Sequence, residues 1–182
     1  MPDTVKAERP FIPVGIAVLT VSDSRTLETD TSGAFLVSRI EEAGHLLRDR
    51  QIVTDDAAKI RELVVQWSKD PAIDVVITTG GTGFTGRDVT PDALEPAFDK
   101  RMDGFSVIFH QQSYAKIGTS TIQSRATAGL INQTFVFVLP GSGGACRDAW
   151  DGILAQQLDY RHRPCNFVEI MPRLDEHLKR KS

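Results

Sequence analysis

Asp74 to Ala93 reads DVVITTGGTGFTGRDVTPDA, and the rest of the chain is best read outward from it. Its first part, Asp74–Thr79, is a short β-rich apolar run of the kind that forms a strand buried on both faces. Four glycines, Gly80, Gly81, Gly83 and Gly86, then crowd the connection that follows. Backbone without Cβ atoms approaches a ligand closely and adopts positive φ, and consecutive N–H groups in such a loop form an anion-binding concavity. Asp88 adds a carboxylate at the rim, suited to Mg2+ bridging phosphate oxygens. The same pattern also suits a tight turn with Asp88 as a cap or a solvated acid. Thr90-Pro91 marks a helix start, since proline pre-sets φ at the first helical position. Pro96, five residues on, should kink or break that helix.

Upstream, VGIAVLTV (Val14–Val21) is a second buried strand. Thr31 to Ala43 places Leu36, Ile40 and Ala43 on one helical face and stops at Gly44. Leu46–Val53 is more polar and suits a strand near a sheet edge. Asp56 is an N-cap for a helix whose apolar stripe is Ile60, Leu63, Val64 and Trp67. Downstream, TFVFVL (Thr134–Leu139) is another buried strand, and a long helix is expected from about Ala145 to Leu158. The alternation of strand and helix predicts an α/β fold with a mainly parallel sheet and helices on both faces. No repeat or linker divides the chain. The expected domain is 14–170, with a loose N-terminal arm over 1–13 and a solvated tail over 171–182 that ends in HLKRKS.

Ligands of such sheets bind beyond the carboxyl ends of the strands. That rule points to Ser22-Asp23-Ser24-Arg25, Gly80 to Asp88, and Pro140 to Arg147. In the last of these, Gly141, Ser142, Gly143 and Gly144 offer N–H groups and a hydroxyl before a helix, a phosphate site or a plain N-cap. GTSTIQSRATAG (Gly118–Gly129) is rich in hydroxyls. Its Ser124 and Arg125 suit a terminal phosphate through a hydroxyl and a bidentate guanidinium. Asp55-Asp56 is a further carboxylate pair, or only a helix cap. Gly81 to Gly86 matches the dinucleotide fingerprint literally, but the helix is expected only at Pro91 and the strand is not the first one. A nicotinamide-enzyme reading is therefore discounted.

Composition sets the outer bounds. Of the 182 residues, 41% are hydrophobic and 25% charged, as in an ordinary single globular domain. A formal net charge of −3 gives no reason to expect nucleic acid or an anionic membrane as partner. No apolar run reaches the roughly 20 residues of a membrane span, and the start of the chain lacks the apolar stretch of a signal peptide. A cytoplasmic location is expected. Cys146 and Cys165 should then be free thiols. The four histidines have no spaced partner for a metal or for nucleophilic catalysis.

Together these segments resemble the MoaB/Mog family of molybdenum-cofactor biosynthesis proteins, whose fold recurs in the gephyrin G domain. TTGGTG with RDVTPDA is the signature of the wider family, and IGTSTIQSRATAG, LPGSGGACRDAW and RPCNF look like its MoaB branch. The resemblance spans about Gly15 to Phe167. It implies a three-layer α/β sandwich that binds molybdopterin over the strand ends. In the catalytic branch the terminal phosphate of molybdopterin attacks the α-phosphorus of MgATP and pyrophosphate leaves. By the resemblance, Asp55 and Asp88 are the catalytic carboxylates that organise Mg2+ and the reacting phosphate. Ser22 and Asp23 match the Ser-Asp pair after the first strand, and Gly80, Gly81, Thr82 and Gly83 form the loop under nucleotide or pterin. Ser124 and Arg125 would meet the pterin phosphate, and Gly141 and Ser142 lie in a further binding segment. A homotrimer or homohexamer is implied, as is hand-over of the product to the molybdate-insertion enzyme. Some MoaB-branch members share the fold without adenylyl transfer, so a non-catalytic carrier is the alternative.

Overall fold

The computed structural model describes residues 8–179. A six-stranded sheet runs in the order β2-β1-β3-β6-β5-β4, with β1 at Gly15–Val21, β2 at Leu46–Val53, β3 at Val75–Thr79, β4 at Lys100–Arg101, β5 at Thr127–Ile131 and β6 at Thr134–Leu139. β2, β1, β3 and β6 run parallel to one another. β5 is antiparallel to both β6 and β4. β1, β3 and β6 are buried along their whole length, as continuous apolar runs require in a sheet covered on both faces. β2 is the more polar edge strand, as expected.

Two apolar clusters, one per face, make the molecule three-layered. On one face Leu36 and Ile40 of α1 (Thr31–Glu42), Phe105 and Phe109 of α4 (Asp103–Ile117) and Cys146 and Ala149 of α5 (Gly143–Ala149) pack on Ile16, Val18, Ile77 and Phe137. On the other, Ile60, Val64 and Trp67 of α2 (Ala57–Trp67) and Ala93 and Leu94 of α3 (Thr90–Leu94) pack on Ala17, Leu19, Val76 and Val136. Asp56 caps α2 by accepting from the N–H groups of Ala58 and Lys59. α3 ends in a 3-10 turn over Glu95–Ala97, where Pro96 stops it. The expected last helix is one run from α5 through a π-helical stretch, Trp150–Leu154, into α6 (Ala155–Gln157).

Two elements depart from simple alternation. α4 does not read as an amphipathic helix, because Val107, Ile108, Tyr114 and Ile117 on its outer side are exposed and apolar. β5 and β6 form a hairpin whose connection, Asn132-Gln133, places Asn132 at φ 54°, a left-handed conformation that Asn tolerates. The strand signal of β5 is weak because Ala128 and Gly129 are small. Gly129 must be, since a Cβ there would lie 2.4 Å from the Phe98 ring.

Within the segment expected as a loose arm, Arg9 donates to the Tyr160 carbonyl at 3.3 Å and to Glu169 at 3.2 Å, and Phe11 lies 5.1 Å from the His45 ring. Of the expected tail, Met171 and Leu174 pack against the core and a short helix covers Glu176–Lys179. Residues 1–7 and 180–182, the remainder of both segments, lie outside the described residues. Both cysteines are free, Cys146 buried and Cys165 exposed. Burial pushes the Cys146 thiol up to about 11, which makes it an inert packing group.

Candidate functional site

β1 feeds β2 on one side and β3 lies on the other, so the chain order reverses between β1 and β3. That crevice is where ligands bind in open α/β sheets. The loops after β1, β2, β3 and β6 all emerge at this end, because their strands are parallel. They bring together residues 22–25, 55–56, 80–88 and 140–147. Ser124 and Arg125 join them from just before the antiparallel β5, with the Arg125 N–H donating to the Thr82 carbonyl at 2.8 Å.

The glycine loop leaves β3 in a conformation no other residue fits. Gly80 sits at φ 103°, and a Cβ on it would lie 2.3 Å from the Val21 carbonyl oxygen. Gly83 lets the Asp88 carboxylate close on the loop, since a Cβ there would be 2.7 Å from Asp88 Oδ2. The same Oδ2 accepts from the Thr85 backbone at 3.0 Å and from its hydroxyl at 2.7 Å. The Thr85 hydroxyl is the main reason that the Asp88 carboxyl is held below its ordinary range. The loop then runs to α3, where the Thr90 hydroxyl donates back to the Gly80 carbonyl at 2.9 Å. The dinucleotide-fingerprint match is thus followed by a loop, and the helix starts at Thr90.

Asp55 follows β2, and its backbone N–H donates to Asp23 Oδ1 at 2.9 Å. Burial, then the charge of Asp23 and in smaller part that of Asp88, push the Asp55 carboxyl above its ordinary value. The loop after β3 reaches the same mouth through Arg87, next to Asp88, which pairs with Asp23 at 3.7 Å. Ser22 spends its hydroxyl on the N–H groups of Ser24 and Arg25, which turns the chain after β1. Beside it a cleft of about 460 Å³ opens, lined by Asp23, Arg25, Arg50 and Thr54 among others.

The segment after β6 packs against the glycine loop. Gly80 N–H donates to the Leu139 carbonyl at 3.0 Å, and Thr79 donates to the Pro140 carbonyl at 2.9 Å. Gly141 approaches so closely that a Cβ on it would be 3.3 Å from Gly80 Cα. Ser142 caps α5 by accepting from Ala145 N–H.

Arg125, expected to meet a phosphate, is turned onto the loop itself. Its Nε donates to the Gly83 carbonyl at 2.9 Å and one terminal nitrogen donates to the Asp88 carbonyl at 2.7 Å. Asp92 closes a bidentate pair on it at 3.0 and 2.9 Å. Ser124 faces Thr82, hydroxyl to hydroxyl, at 3.5 Å, and its carbonyl lies 2.9 Å from His110 Nε2.

Four residues close to the site were not singled out in the sequence. Asp92 is the third residue of α3, where an acid reads only as helix-dipole complement. His110, on α4, has no spaced partner that would mark it. Phe84, an exposed ring at the loop, reads as loop filler. Asp30 is fully buried, and the Asp30-Thr31 step before a helix was the available signal for it as an N-cap.

Residues 17–160 match the family described as probable molybdopterin binding domain. This chain belongs to that family. The molybdopterin-binding family includes the Molybdenum cofactor biosynthesis protein B of Escherichia coli (strain K12), to which this chain is 50% identical over 157 residues, 86% of this chain and 92% of that protein. The Bacillus subtilis (strain 168) protein of the same name is 44% identical over 154 residues, 84% and 90% of the two chains. A crystal structure of a Molybdenum cofactor biosynthesis protein B superposes with a TM-score of 0.83 at 37% identity, covering 92% of this chain and 99% of that one. The family fold is the three-layer α/β arrangement described above. Among the described residues no helix is long and apolar enough to cross a membrane.

Proposed function

We propose that this molybdopterin-binding chain is a Mg2+-dependent molybdopterin adenylyltransferase of the cytoplasm. The observation behind the proposal is geometric: the Asp55 N–H donates to Asp23, and Arg87, the neighbour of Asp88, pairs with the same Asp23 at 3.7 Å, which draws the three acid-bearing loops to the crevice between β1 and β3. Gly80 shapes the loop and spends its N–H on the Leu139 carbonyl, so the backbone N–H groups of Gly81, Thr82 and Gly83 would cradle phosphate or pterin. A Cβ at Gly80 or Gly83 would strike the Val21 carbonyl or the Asp88 carboxylate and undo that shape. Asp55 and Asp88 would hold Mg2+, and its charge would offset the burial and the neighbouring carboxylate charge that raise Asp55. Among the described residues no group of three or more His, Cys, Asp or Glu side chains forms a metal site by itself. A magnesium held by one or two carboxylates together with phosphate oxygens does not need one.

In this reading the terminal phosphate of molybdopterin attacks the α-phosphorus of ATP. The bond to the bridging oxygen breaks and pyrophosphate leaves, so the protein's task is positioning and charge neutralisation. Ser22, Ser124, Gly141 and Ser142 line the approach and would orient the two substrates. The adenylylated product would pass to the enzyme that inserts molybdate. The outer side of α4, with Val107 63% and Ile117 56% exposed, offers an apolar face for self-association. The homotrimer or homohexamer that the resemblance implies would be reported by the mass in solution.

The assay is pyrophosphate release from MgATP with and without molybdopterin. Release that requires molybdopterin supports transfer. The second reading, a non-catalytic molybdopterin carrier, draws on the engagement of Asp88 with Thr85 inside its own loop. Molybdopterin binding without pyrophosphate release would favour it.

Arg125 contributes through the loop in this proposal, because most of its donors are already bonded there. Arg125→Ala is therefore expected to weaken molybdopterin and MgATP binding alike, by about tenfold each. Parallel calorimetric titrations check this. A loss confined to molybdopterin would put the guanidinium on the pterin phosphate instead.

A further inference from the structure

We propose that Phe84 is the stacking platform for the planar heterocycle of the ligand held at the glycine loop. The proposal rests on the pterin-and-nucleotide reading above and adds the residue that recognises the ring. Phe84 stands between Gly83 and Thr85 and is 72% exposed. Single exposed apolar residues are common and need no explanation by themselves. Phe84 differs in where it is held and in what backs it.

The loop does not need this ring to keep its shape. Its turns are set by Thr85 against Asp88, by the Thr90 N–H on the Gly81 carbonyl, and by Arg125 on the Gly83 and Asp88 carbonyls. Phe84 belongs to neither apolar cluster. Yet one face of it is covered, because the Arg125 guanidinium carbon lies 5.5 Å from the ring centroid. That cation is fixed in turn by the bidentate pair with Asp92. A guanidinium over one face holds the ring in place by cation–π attraction and leaves the rest to solvent. The result is a pre-oriented aromatic plate, with little conformational freedom to lose on binding.

The position matches the chemistry of a flat ring tied to phosphate. Phe84 is one residue from Gly83 and four from Asp88, so a phosphate over the loop places an attached heterocycle within reach of the plate. Both proposed substrates have this form, the pterin of molybdopterin and the adenine of ATP. Stacking of a heterocycle on an aromatic side chain is worth roughly tenfold to a hundredfold in affinity.

The test is titration of wild type, Phe84→Ala, Phe84→Leu and Phe84→Trp with three probes: anaerobic molybdopterin, MgATP, and magnesium triphosphate, which has the charges without a ring. The alanine and leucine variants should lose at least tenfold for one ring-bearing probe, and Phe84→Trp should keep wild-type affinity. Triphosphate binding should not change. Loss for molybdopterin alone assigns the plate to the pterin, and loss for MgATP alone assigns it to adenine. Equal losses for all three probes, full rescue by leucine, or an accompanying fall in oligomer mass would overturn the proposal. So would an alanine variant that binds all probes as wild type does. Wild type that binds neither molybdopterin nor MgATP would instead overturn the substrate reading, and this inference with it.

Discussion

Asp88→Asn should reduce molybdopterin-dependent pyrophosphate release by at least about a hundredfold while leaving the protein folded. The amide keeps an oxygen to accept from the Thr85 N–H and hydroxyl, so the turn survives. It removes the negative charge, and with it the affinity for a magnesium ion shared with phosphate. Stability should change little. The carboxyl is held below its ordinary value by Thr85, so it contributes stability above that value and loses the contribution as pH falls through the lower folded one. The variant lacks that small increment at neutral pH, and its thermal midpoint should fall by no more than a few degrees. Single-turnover release at saturating MgATP checks the first part and a melting curve the second. Undiminished release from a folded variant would remove Asp88 from the chemistry.

Asp30→Ala should be the most destabilising of the substitutions considered, by about 3 kcal/mol. The Asp30 carboxylate is fully buried in its side chain and accepts from the Thr20 hydroxyl at 2.7 Å, Gly33 N–H at 2.9 Å and Arg50 at 3.2 Å. Alanine would uncap α1 and leave Arg50, only 20% exposed, without its partner. Because that cation keeps some water, the cost belongs at the lower end for a broken buried pair. Burial alone would raise the Asp30 carboxyl, but the bonds from Thr20, Gly33 and Arg50 together bring it below 3.8. Because the folded value is depressed, the stabilisation is complete above the ordinary, unfolded value and is lost as pH falls from there through the folded one. Urea midpoints at fixed protomer concentration should therefore differ by a constant amount from neutral pH to about pH 5 and converge in stronger acid. A difference under about 1 kcal/mol at pH 7 would show that Arg50 and Thr20 find other partners.

Most of the layered sheet could be read from the chain, because β1, β3 and β6 are continuous apolar runs and the helices between them have clean stripes and caps. What escaped has physical causes. α4 carries apolar residues on two sides, so no stripe stands out, and β5 is built from residues small enough to admit Phe98. At the site, the glycine loop, Asp88 and the strand-end segments were legible because glycine crowding and strand ends are local signals. Asp92 and the true direction of the Arg125 side chain were not. Their pairing joins residues 33 positions apart, and a bidentate contact across that distance leaves no periodic mark. Phe84 was hidden for the opposite reason, since its backing by Arg125 exists only once the loop is closed.

The bond from Arg125 to Gly83 also has a kinetic meaning. It spans 42 residues and starts just before β5, so the chain must pass through α3, β4 and α4 before the loop after β3 can be fastened. Contacts of such separation form late, since the loss of chain freedom must precede the reward. The β2-β1-β3 half can then pair early while its ligand loop is still loose. A polypeptide emerging during synthesis would show the outline of its crevice well before it could grip anything there.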